Sequence, residues 1–121
     1  MENHEKFRFL AGILLIISAI THVSQLFIYG IESHIIGASI FGVCYLILGI
    51  LLLKLKKNQV ITILGIILPI MGGSLGIGRL ILFYVAASGE LNFFIIFHVI
   101  VDIIVVPSCI YSFIGIKREK S

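Results

Sequence analysis

Four long apolar runs, joined by short polar loops, set the pattern of this chain. They predict helices over about 7–29, 34–55, 60–87 and 91–116. A membrane span needs about 20 mostly apolar residues, and each run is long enough. The loops are too short to hold a further domain, so we expect residues 1–121 to form a single four-helix transmembrane domain. The pattern thus predicts an all-α integral membrane protein.

Each run also carries a stripe of small or polar residues, spaced alternately three and four apart. This spacing places a stripe on one face of a helix. The stripes are Ala11, Leu15, Ser18, His22, Gln25 and Tyr29; Ala38, Gly42, Tyr45 and Gly49; Gly65, Pro69, Gly72, Gly76, Arg79, Phe83 and Ala86; and His98, Asp102, Val105, Cys109 and Ser112. Helices in lipid associate through such residues. We therefore predict that the stripes face the interior of an antiparallel four-transmembrane-helix bundle, with the Ile and Leu faces toward lipid.

Composition supports a membrane protein and charge orients it. The chain is 60% hydrophobic and 12% charged, with a mean hydropathy of +1.19, so its charges are too few to cover a soluble surface. Eight of the nine Lys and Arg residues flank the apolar runs, at the N-terminus, the middle loop and the C-terminus. By the positive-inside rule both termini are cytoplasmic, in the cell or inner membrane. The net charge of +3 comes without a basic stripe or phosphate loop, so no nucleic-acid partner is predicted.

The sequence offers little for catalysis. Cys44 and Cys109 form no CxxC motif, and we expect two free thiols. Asp102 is the only carboxylate inside an apolar run, so no pair of carboxylates can share acid and base work there. Autonomous enzymatic activity is therefore not predicted.

Six polar side chains inside the runs form the candidate site. They are His22, Gln25, Tyr45, Arg79, His98 and Asp102. A rise of about 1.5 Å per residue puts five of them, all but Gln25, at depths of roughly 10 to 16 Å from the outer helix ends, in one layer of the outer half. Charges in a bilayer are costly, so Arg79 and Asp102 are predicted to form an intramembrane ion pair. The histidines would then contact a small solute, a proton or a cofactor.

Three interpretations of this layer stay open. Pro69 and the glycines after it make helix 3 easy to bend, which favours a cavity for a solute or a proton path. Alternatively, His22 and His98 could hold a b-type haem if they face each other. The same two histidines with Asp102 could instead bind a metal ion.

A rival hypothesis gives the polar layer a purely structural role. The chain would then be an accessory subunit that docks its small-residue faces onto a larger membrane enzyme complex. A homo-oligomer in the lipid bilayer is the other assembly that a chain this small would be expected to form. His34 with Glu32, at the outer surface, is a separate candidate site.

Overall fold

Four long α-helices make up the protein. The computed structural model describes residues 2–121, with α1 at Asn3–Tyr29, α2 at Ser33–Lys54, α3 at Gln59–Ser88 and α4 at Phe93–Lys120. These residues contain no strand. Each helix is long and apolar enough to cross a membrane. The prediction of an all-helical chain with four such helices is confirmed.

Local capping explains where the helices begin and end. Glu2 and Glu5 form a capping box, so α1 begins four residues before the apolar run. The Asn58 side chain accepts a hydrogen bond from the amide of Ile61 and starts α3. Asn92 caps α4 in the same way. After α3 the chain turns at Gly89, whose φ of 72° is left-handed and favours glycine.

The helices are arranged as a ring in chain order. α1 packs most closely on α2, α3 packs on α4, and α1 also packs along α4, whereas α2 and α3 touch only sparsely. Glycine allows the tightest of these contacts: a Cβ at Gly12 would lie 3.0 Å from the carbonyl oxygen of Gly49, and one at Gly49 would lie 2.8 Å from that of Gly12. Because the loops are short, successive helices run antiparallel.

The stripes on α1, α2 and α4 face the interior, as predicted. Every stripe residue on these helices is buried except Tyr29, the last residue of α1, which is 42% exposed. Large apolar side chains cover the outside; Ile20 is 62% exposed and Ile103 is 65% exposed. Such an apolar exterior suits contact with lipid.

The stripe on α3 follows the prediction only in part. Gly65 and Pro69 are buried, and Phe83, although half exposed, still faces α2, but Ala86 is exposed, so the prediction was wrong for Ala86. The reason is a π-helical segment at Leu80–Val85. Its wider turn takes more residues than an α-helical turn, which moves Ala86, just after the segment, off the predicted face.

Arg8 is buried at the end of the bundle that holds both termini. It is 1% exposed and lies against the C-terminal end of α2. Its guanidinium donates to the carbonyl oxygen of Leu52 at 3.1 Å, to that of Leu55, and to the hydroxyl of Thr62 on α3. Carbonyls at the end of a helix have no partner within it, so Arg8 caps α2 from another helix.

A second cluster ties the two ends of the chain together. The Nε2 atom of His4 lies 2.8 Å from Glu119, and the other oxygen of Glu119 lies 3.3 Å from Lys57 in the middle loop. Glu119 lies beyond Ile116, where the apolar run of α4 ends. The hydrogen bond from His4, helped by Lys57, lowers the pKa of Glu119.

Candidate functional site

His22 and His98 form a stacked pair between α1 and α4. Their ring centroids are 3.6 Å apart and their planes differ by 7°. The Nδ1 atom of His22 donates to the carbonyl oxygen of Ser18 at 2.7 Å, and the Nε2 atom of His98 lies 2.6 Å from the hydroxyl of Thr21. Both rings are thus fixed by α1 and lie at one depth, and the two histidines do face each other.

Asp102 is bonded by Tyr45 rather than by a cation. The Tyr45 hydroxyl on α2 donates to the carboxyl of Asp102 on α4 at 3.0 Å. Two glycines of α3 leave room for this hydrogen bond. A Cβ at Gly72 would collide with the Tyr45 hydroxyl, and one at Gly73 would lie 3.3 Å from Asp102. The bond therefore passes in front of α3, where only glycine leaves enough space.

Arg79 is bonded to Gln25, and the predicted ion pair with Asp102 is not formed. The guanidinium donates to the Gln25 side-chain oxygen across α3 and α1. Within residues 2–121 Arg79 forms no salt bridge. The prediction failed because each charged group found a neutral hydrogen-bonding partner on the helix that faces it.

A cavity of about 400 Å³ lies next to these groups, in the half of the bundle away from the termini. Its walls are contributed mainly by α2 and α3, the two helices that touch sparsely. The lining residues are His22, His34, Gly37, Ala38, Phe41, Gly72, Ser74, Leu75, Gly76, Gly78, Arg79, Leu82, Phe83, Ile95, His98 and Val99. Of the six predicted site residues, His22, Arg79 and His98 line the cavity. Gln25, Tyr45 and Asp102 do not line it; Gln25 bonds to Arg79, and Tyr45 packs against His22 and bonds to Asp102.

His34 and Phe83 meet at the outer rim of the cavity. Their rings are stacked, with centroids 4.4 Å apart and planes at 16°, and they join α2 to α3. Glu32 lies 2.8 Å from the Nε2 atom of His34. The surface pair noted in the sequence is therefore part of the same region, which the sequence alone did not indicate.

The residues do not fit the haem or the metal ion considered from the sequence. Imidazole lone pairs lie in the ring plane, so the parallel, touching rings of His22 and His98 do not direct their nitrogens at an iron between them. For a metal, residues 2–121 bring no three His, Cys, Asp or Glu side chains together, so the set with Asp102 does not form.

Sequence reasoning missed the role of Arg8 and found only part of the cavity. Arg8 and His4 continue the spacing of the α1 stripe by two further steps, a sign that was present in the sequence. The walls of the cavity, in contrast, depend on where α2 and α3 separate, which no residue pattern gives.

Comparisons with models of protein families, with characterised proteins and with solved structures find no match to this chain.

Proposed function

We propose that this protein spans a membrane four times, with both termini in the cytoplasm, and binds a small solute in the cavity between α2 and α3. The apolar exterior and four spanning-length helices support insertion. Basic residues at the termini and the middle loop support the orientation, since the loops between α1 and α2 and between α3 and α4 contain no Lys or Arg.

The observation that carries the binding proposal is the cavity itself. Its volume of about 400 Å³ falls in the range of small-molecule sites. Mostly apolar walls with a few converging polar groups are also typical of such sites. Here the polar groups are Arg79 and the histidine pair, and the hydrogen bonds of Gln25 and Thr21 fix their positions.

Orientation is tested by labelling single cysteines with a membrane-impermeant thiol reagent in intact cells. In a chain with Cys44 and Cys109 replaced by serine, a cysteine introduced at Glu90 should be labelled from outside. A cysteine at Ser121 should react only after the cells are opened. The reverse pattern would overturn the proposed orientation, and labelling of both cysteines only after the cells are opened would overturn insertion with the Glu90 loop outside.

Binding is tested by native mass spectrometry of the protein extracted in lipid particles. The wild-type protein should carry an added mass of a few hundred daltons on its 13.4 kDa chain. Gly76→Leu should lose it, because the new side chain fills the cavity beside Val99. Ala87→Leu, an exposed change outside the cavity, should keep it. An adduct that is equal in all three proteins, or absent from all, would contradict the proposal.

The same spectra address the accessory-subunit alternative. A subunit would be released as a complex with a larger, different chain. The small-residue stripe of α2 is already packed against α1: a Cβ at Gly42 would lie 2.7 Å from the side chain of His22, and one at Gly49 would lie 2.8 Å from the carbonyl oxygen of Gly12. No observation therefore favours the alternative over binding in the cavity.

A further inference from the structure

Arg79 carries a charge that the fold leaves without an ionic partner. It is the only Lys or Arg that lies away from the ends of the apolar runs. Its one hydrogen bond goes to the neutral amide of Gln25, and its Nε atom is buried with no partner among residues 2–121. An unpaired charge in an apolar setting is costly, so such a site favours an anion that can neutralise it.

The walls around Arg79 suit a hydrocarbon chain. Phe41 on α2 and Leu75 and Leu82 on α3 line the cavity, and both leucines are more than half exposed on its open side. The cavity opens between α2 and α3, because these two neighbouring helices touch only sparsely. In a bilayer this opening faces lipid, so a ligand can enter sideways from the membrane.

We infer that the ligand is a single-chain anionic amphiphile, whose carboxylate or phosphate accepts hydrogen bonds from Arg79 while its chain lies along the apolar wall. This inference rests on the proposed binding function and names its ligand class. A guanidinium binds carboxylate and phosphate in the same forked geometry, so both heads share this chemistry. The Gln25 contact holds the guanidinium in place at the cavity, which Arg79 lines.

The chain contains no tryptophan, which gives a clean test. Leu75→Trp places a fluorophore in the cavity wall, and Ile20→Trp places a matched one on the lipid-facing side of α1. In nanodiscs of unlabelled phosphatidylcholine, bromine-labelled probes quench nearby tryptophan. Three probes distinguish a carboxylate head group from a phosphate and from an uncharged one. They are a brominated fatty acid at alkaline pH, a brominated lysophosphatidate, and the brominated fatty alcohol as the neutral control.

Quenching of Leu75→Trp by at least one anionic probe should saturate, while that of Ile20→Trp should rise in proportion to the probe. The alcohol should bind the cavity at least about tenfold more weakly than the matching acid, as loss of a charged hydrogen bond predicts. Arg79→Gln should weaken the anionic probe by a similar factor. Arg79→Lys, which keeps the charge but lacks the fork of donors, should have an affinity between those of the parent and Arg79→Gln. Arg118→Gln, an exposed change at the other end of the bundle, should change the affinity by less than about threefold.

The acid that binds more tightly identifies the head group, carboxylate or phosphate. Equal saturable binding of the alcohol would overturn the anionic class while leaving the cavity a binding site. Absence of saturable quenching by every probe would also overturn this inference, and the cavity-dependent adduct in native mass spectrometry would still decide the proposed function separately. The comparison of acid with alcohol uses unaltered Arg79, so it stands even if Arg79→Gln does not fold.

Discussion

Replacing Arg8 should destabilise the bundle more than its place in a basic N-terminal segment suggests. Arg8→Ala removes the donors to two carbonyls at the end of α2, those of Leu52 and Leu55, and to the hydroxyl of Thr62. The Leu52 carbonyl is left without a partner, which costs about 1–3 kcal/mol, whereas the Leu55 carbonyl keeps the amide of Asn58 and the Thr62 hydroxyl keeps the carbonyl of Asn58. The charged hydrogen bonds to Leu55 and Thr62 are lost as well, and water near this end of the bundle replaces part of them, so we expect the free energy of unfolding to fall by about 2–4 kcal/mol.

The chain provides its own reporter for this measurement. Cys109 is fully buried, whereas Cys44 is exposed. In a Cys44→Ser background, a thiol-reactive dye reports unfolding through Cys109 as the fraction of sodium dodecyl sulfate in mixed micelles is raised. Arg8→Ala should unfold at a clearly lower detergent fraction than its parent, and Arg8→Lys should lie between them because an ammonium lacks the fork of donors that reaches several acceptors.

Lys6→Ala is the matched control. Lys6 precedes Arg8 by two residues, carries the same charge and is exposed. Its removal should leave the unfolding curve within about 0.5 kcal/mol of the parent. If the curves of Arg8→Ala and Lys6→Ala coincide, Arg8 contributes only charge, and the capping role assigned to it is wrong.

Two other changes test the packing of α1 on α2 and the cluster at the chain ends. Gly42→Ala should lower the free energy of unfolding by about 1–3 kcal/mol, since the added Cβ would lie 2.7 Å from the side chain of His22; Gly37→Ala on the same helix has open space and should unfold like the parent in the same dye assay. Glu119 has a lowered pKa in the folded protein, so its stabilising effect is present above the pKa it has in the unfolded chain and is lost as pH falls through the folded value. Unfolding curves at a series of acidic pH values should show this loss in the parent and not in Glu119→Gln. Identical pH profiles would mean that ionised Glu119 does not stabilise the folded protein.

Residue patterns predicted the helices and most of the interior because both depend on local spacing. The α1 stripe is an example: His22 and Gln25 are buried where a period of 3.6 residues puts them. The facing of His22 and His98 also agrees with equal depth on neighbouring helices. Depth and helical face are simple functions of position along a regular helix, so they can be read from the sequence.

The partners of the polar groups could not be predicted in this way. Arg79 and Asp102 matched in charge and depth, yet each bonds to a neutral side chain, Gln25 and Tyr45 respectively. That choice depends on helix rotation and on the distances between helices, which differ around the ring. The π-helical turn in α3 also shifts the helical register just after Arg79. The spacing of apolar residues in the sequence does not indicate this shift.

The sparse contact between α2 and α3 has a mechanical consequence. Three of the four interhelical seams are closely packed, so α1 with α2 and α3 with α4 form two rigid pairs joined along α1 and α4. A hinge rotation about that joint would widen the seam between α2 and α3. It would break the stack of His34 on Phe83 and stretch the hydrogen bonds that cross between the pairs, from Tyr45 to Asp102 and from Arg79 to Gln25. The bundle is therefore most easily deformed at the seam between α2 and α3, which is also the entrance to the cavity. Thermal motion of the helices should change the width of this entrance first.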